Sequence, residues 1–170
     1  MRGSRFIWIC IALVAGQVLI GNFLNLSQFV LLTFLPAIIL CLPQSVGTPW
    51  ALGIAFALGL VVDFFSGSVL GPTCVALLPV ALLRFPLLRL VFGSEMFDRR
   101  ENLSVKRHGL PGLLLVMLAA NALFLLVYII VDSAGTRPFW FNLVRFLVSL
   151  VLAVIVSLPL MSLLLDPENN

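Results

Sequence analysis

Charge is scarce in this chain. Lys, Arg, Asp and Glu together make up 10% of its 170 residues, against about 25% in ordinary soluble domains. A soluble globular domain with a charged shell is excluded on that ground. The longest polar stretch is 93–109, far short of the 50 or so residues that a separate domain needs. Polar/apolar alternation is missing as well, which excludes a transmembrane β-barrel.

Residues that carry chemistry are equally few. There is one histidine, His108, in a basic stretch without a carboxylate or cysteine pattern around it. The three cysteines, Cys10, Cys41 and Cys74, stand far apart inside apolar runs. That spacing supports neither a metal site nor a disulfide framework, and it reads as small buried apolar side chains. No phosphate loop, nucleophile elbow or metal motif occurs, so neither cofactor nor metal is expected. Ten basic residues, most of them tied to the ends of apolar runs, give no footprint for nucleic acid.

What the chain does have is long apolar runs, with 62% hydrophobic residues overall. They fall at about 6–21, 23–42, 50–65, 69–92, 110–131 and 139–165. At 1.5 Å per residue, each crosses or nearly crosses a hydrocarbon core of about 30 Å. The expectation is an all-α polytopic membrane protein, one domain over 1–170 with six transmembrane helices. Arg2 and Arg5 before the first run resemble the start of a signal peptide. No small-x-small cleavage site follows, so the run is read as the first span. The second run contains Pro36. In the fourth, Pro86 disfavours helix at Phe85. Residues 84–92 are therefore expected to form a kinked, interfacial end whose Arg84 and Arg89 snorkel to lipid phosphates.

The basic residues orient the spans. Arg2 and Arg5 precede the first, and Arg99, Arg100, Lys106 and Arg107 lie between the fourth and fifth. The opposite side holds Arg137, with Arg145 just inside the sixth. By the excess of Lys and Arg on cytoplasmic loops, both termini and the loop 93–109 are expected in the cytoplasm. Segments 22–28, 66–70 and 132–138 then face outward. The loop 93–109 reads as a solvated topological anchor, or as a docking site for a cytoplasmic partner or acidic headgroups.

Asp63 is the one acid deep in an apolar run. On insertion scales a carboxylate at the bilayer centre costs about 2.5–3.5 kcal/mol, so something must offset it. Arg145, at a similar expected depth in the sixth span, is the expected partner. Asn121, Gln17 or a residue of another protein are alternatives. Asp63 also belongs to a stripe of Ala51, Ala55, Gly59, Asp63 and Gly67, spaced by four residues and so on one slowly drifting helix face. Ala12 and Gly16 repeat the spacing in the first span. Small residues let helices approach closely in lipid; the stripe packs against another helix of this chain or forms a seam for another membrane protein. Asp63 and Asp132, both expected near the outer face, also raise an intramembrane aspartyl dyad sharing a proton. The Asp132-Ser133-Ala134-Gly135 context reads as a turn, which argues against it.

The string Phe56-Ala57-Leu58-Gly59-Leu60-Val61-Val62-Asp63-Phe64-Phe65-Ser66-Gly67, followed by Gly71, resembles the third span of the rod shape-determining MreD family. Pro49-Trp50 and the Gly59-to-Ser66 string look most like the versions found in Bacteroidota. The short chain, the near absence of extramembrane domains and the basic loop before the fifth span are similar too. The resemblance implies a non-enzymatic scaffold of the bacterial cytoplasmic membrane. It would bind the single-span protein MreC and, through it, act with MreB, RodA and a class B penicillin-binding protein in lateral peptidoglycan synthesis. It also implies a fold like the substrate-binding S components of energy-coupling-factor vitamin transporters. An S component is the alternative reading. The candidate ligand groups are sparse (Asn22, Asn25, Gln28, Asp63, Asn121, Asn142 and Arg145), which favours the scaffold.

Overall fold

The structure, a computed structural model, describes residues 2–23, 31, 33–43, 45–66, 70–93, 110–133 and 138–165, with side chains at all of these except 2–7, 20–23, 110, 158 and 160–165. Among the described residues there are six helices and no strand. They are α1 (Arg2–Phe23), α2 (Leu35–Leu40), α3 (Thr48–Phe65), α4 (Pro72–Phe92), α5 (Leu110–Ser133) and α6 (Phe139–Leu165). Four of them, α3 to α6, are long and apolar enough to cross a membrane, and α1 carries a shorter apolar stretch, Trp8–Leu19.

The four long helices pack in chain order: α3 on α4, α4 on α5, α5 on α6. Their ends alternate. Gly112 near the start of α5 lies against Phe92 at the end of α4, so these two helices run antiparallel. The centre is apolar and tightly filled, with Leu35, Ile38 and Leu40 of α2, Leu77 and Leu88 of α4, and Met117 and Phe124 of α5 fully buried. The outside is apolar too. Trp50 in the first turn of α3 and Trp140 in the first turn of α6 are about three-quarters exposed, at opposite ends of the bundle. Apolar surface on both sides of a helix, with amphipathic rings at both ends, suits a bilayer and not water.

Two expectations need correction. The second run was expected to be a spanning helix, but its described part holds only α2. Six residues rise about 9 Å, too little to cross. Pro36 does not interrupt this helix; it sits in its first turn, where its missing N–H is no loss. Residues 33–42 are all buried, and three amides around the start of α2 are satisfied by side chains. Leu31 N donates to Ser149 Oγ at 2.8 Å, Phe34 N to Gln17 Oε1 at 3.3 Å and Leu35 N to Thr33 Oγ1 at 3.4 Å. Irregular backbone is tolerated at membrane depth only where protein or water covers it in this way.

The second correction concerns the fourth run. It forms one 21-residue helix with Pro79 and Pro86 inside it. Breaking the helix at Pro86 would have left several backbone groups without partners in a nonaqueous setting, whereas each proline removes only one bond. Continuing the helix carries Arg84 onto the same face as Leu77, Ala81 and Leu88. Arg84 is 0% exposed and does not snorkel. Its Nη2 donates to the backbone carbonyl of Leu42, tying α4 to the end of the inner segment. Arg89, on another face, is exposed.

Candidate functional site

The stripe seen in the third run is the contact between α3 and α4. Ala51 and Ala55 are fully buried, and Gly59 sits against the start of α4. A Cβ on Gly59 would lie 2.6 Å from Cys74 Cα, 2.7 Å from Cys74 N and 2.9 Å from Cys74 Sγ. Only glycine lets the two backbones approach this closely. The Cys74 thiol in turn donates to the Phe56 carbonyl at 3.5 Å.

One turn further along α3, Asp63 is 2% exposed. Its Oδ2 accepts Gly71 N at 2.8 Å and Thr73 N at 3.2 Å. Gly71 is the residue preceding α4, with φ at +120°, a backbone conformation that favours glycine. Having no side chain, Gly71 cannot cap its own helix. Asp63 does so from the neighbouring helix, supplying both an acceptor and a negative charge at the positive end of the α4 dipole. Charge-assisted bonds to two amides are what offset the burial of this carboxylate.

Arg145 is therefore not the partner of Asp63, contrary to the sequence expectation. Its Nη1 donates to Asp132 Oδ2 at 2.5 Å, in a pair that is partly buried between α5 and α6. The reason lies in helix order: α6 packs on α5, and Asp63 faces α4. Asp132 lies in the last turn of α5 rather than in a loop turn. The two acids are engaged separately, one with amides and one with a guanidinium, so they do not form a proton-sharing dyad. The alternative partners for Asp63 are also placed elsewhere. Asn121 Nδ2 donates to the Met117 carbonyl at 2.9 Å, and Gln17 accepts from Phe34.

Of the expected site residues, Ala51, Ala55, Gly59, Asp63 and Gly71 come together at the α3–α4 seam, and Arg145 stands apart on α6. Gly67 and the loop cations Arg99, Arg100, Lys106 and Arg107 lie outside the described residues, as do Asn25, Gln28, His108 and the side chain of Asn22. The sequence reading missed Thr73 and Cys74 as partners of Asp63 and Gly59, Ser149 and Gln17 as caps of the inner segment, and Arg84 as its tether. For Arg84 there was a signal. Leu77, Ala81 and Leu88 are seven and three residues before it and four after it, the spacing of one helix face. In comparisons with protein-family models, with curated proteins and with solved structures, nothing matches this chain.

Proposed function

We propose that this protein is a non-enzymatic membrane scaffold of the MreD type, seated in the cytoplasmic membrane of a bacterium. It holds an MreC-type single-span protein and acts through it with MreB, RodA and a class B penicillin-binding protein in building the lateral wall. The observation that carries the reading is the capping of α4 by Asp63. The string behind the resemblance is used to lock two helices into one rigid hairpin, with its acid directed at backbone amides. A rigid apolar platform is what a scaffold for a membrane helix requires. In this reading the chain crosses the bilayer six times in an S-component-like arrangement, the second crossing made by the inner segment that contains α2 rather than by a helix long enough to span. Both termini are cytoplasmic, and Arg99, Arg100, Lys106 and Arg107 form a second contact, with a cytoplasmic partner or acidic lipid.

The test is a gentle detergent pull-down of the tagged protein from native membranes, with mass spectrometry of what accompanies it. Recovery of a MreC-type protein, RodA or the transpeptidase supports the scaffold, as does rounding of cells on depletion. Recovery of an ATPase pair with a membrane coupling subunit overturns it in favour of a vitamin-transporter S component.

A further inference from the structure

We propose that the seam between α5 and α6 is a hydrated polar cleft, opening at the Asp132–Arg145 end and holding water as deep as the middle of the bundle. This goes beyond the scaffold reading and does not depend on it.

The argument starts from polar atoms that protein groups leave unmet. Asn142 and Arg145 lie one turn apart on α6. Asn142 Oδ1 and Arg145 Nε are both buried and meet no hydrogen-bond partner among the described residues, although Arg145 Nη1 holds Asp132. That ion pair also fixes the register of the two antiparallel helices. Eleven residues before Asp132 stands Asn121, and twelve after Arg145 stands Ser157. Both are about 16–18 Å deeper at 1.5 Å per residue, and so level with each other. Asn121 is close to the centre of the 24-residue α5. At this second level the same thing recurs: Asn121 Oδ1 and Ser157 Oγ are fully buried and unmet.

Between the two levels, α6 buries Ser149, whose Oγ accepts Leu31 N, and Ala153, beside the partly buried Phe146, Leu150 and Val156. The opposite face, with Val151 and Ile155, is apolar and exposed. A single unmet atom would be an accident of packing. Four, at two matched depths of one seam, three on α6 and one on α5, describe a surface built to be wet. In hydrocarbon such groups need water or protein.

Silver ion, a cation close to water in size that reacts with thiols, probes the cleft. Ser157→Cys and Ala153→Cys report on the seam; Val151→Cys and Ile155→Cys report on the lipid face at neighbouring depths. The full-length protein in lipid nanodiscs is treated with silver, quenched, denatured and alkylated. Blocking is then read peptide by peptide, so that Cys10, Cys41 and Cys74 do not interfere. Thiols react as thiolates, which form only where water reaches, so the two seam positions should be blocked at least about ten times faster than the two lipid-facing ones. Equally slow blocking at all four overturns the proposal. Equally fast blocking at all four overturns it too, because depth and not the seam would then govern access. Fast Ala153→Cys with slow Ser157→Cys refutes the reach to the Asn121 level. Should one seam variant fail to give a monodisperse protein, the other decides the existence of the cleft.

Discussion

Replacing Asp63 separates its role as a helix cap from that of a charge paired with Arg145. Asp63→Ala removes both acceptor bonds, to Gly71 N and Thr73 N. Net, a hydrogen bond to a charged group is worth about 1.5–3 kcal/mol, so the loss of two is of order 3–6. Against that stands the relief of taking a carboxylate out of an apolar run, about 2.5–3.5 kcal/mol. The balance runs from about zero to about 3.5 kcal/mol of destabilisation, centred near about 1.5, in the range of a lost N-cap. Asp63→Asn keeps an oxygen in the same place and removes the charge. It weakens the two bonds to neutral strength, a loss of about 2–3 kcal/mol in all, and is relieved of the burial of charge, about 2.5–3.5 kcal/mol. It should therefore lie within about 1 kcal/mol of the parent by that sum. The assay is reversible unfolding in mixed micelles with SDS as denaturant, followed by the fluorescence of Trp8, Trp50 and Trp140. A cap predicts that Asn rescues and Ala does not. It also predicts that Asp63→Ala and Arg145→Ala add, since they touch different helices. Asp63→Asn as damaging as Asp63→Ala, or a coupling above about 1 kcal/mol between positions 63 and 145 in a double-mutant cycle, would refute the capping argument.

Other perturbations test neighbouring contacts. Gly59→Ala drives a methyl group into the backbone of Cys74 and should cost about 1–3 kcal/mol as overpacking. Gly53→Ala, which meets nothing within 4 Å, should be neutral or gain up to about 1 kcal/mol in the same unfolding assay. Gly71→Ala places a side chain at φ +120° and should lose about 1–3 kcal/mol through backbone strain; a stability equal to the parent's would show that the turn relaxes. Arg84→Ala frees the Leu42 carbonyl and leaves a void at a fully buried position. It should raise alkylation of the adjacent Cys41 in native protein while Cys74 stays protected, and unchanged Cys41 reactivity would mean that Arg84 does not hold the inner segment.

The parts of this fold that were legible in the sequence are those set by composition along a single helix. Continuous apolar runs located α3, α5 and α6, and the spacing of Ala51, Ala55, Gly59 and Asp63 identified the face of α3 that is buried. The insertion cost of a carboxylate singled out Asp63. Its partner could not be read the same way. Depth matching puts Asp63 level with Arg145, but depth says nothing about which helices are neighbours, and the start of α4 lies directly beside Asp63. The amides that cap the charge belong to Gly71 and Thr73, and backbone donors leave no mark in a side-chain pattern.

The errors at Pro86 and in the second run have opposite signs. The first came from applying a rule of helices in water to backbone out of water, the second from taking a long apolar run to be a helix. In water a proline-broken end loses little, because solvent takes up the freed groups. In a bilayer the freed groups have no such recourse, so α4 runs through Pro79 and Pro86 and carries Arg84 inward. The same pressure permits the opposite outcome at Leu31 and at residues 33–34, because Ser149, Gln17 and Thr33 are at hand to accept amides that a helix would have satisfied. Whether an apolar run stays helical is thus decided by polar side chains elsewhere in the sequence. Gln17 and Ser149 lie on two other helices, one before and one far after the segment they hold, and hydropathy along the run cannot register either.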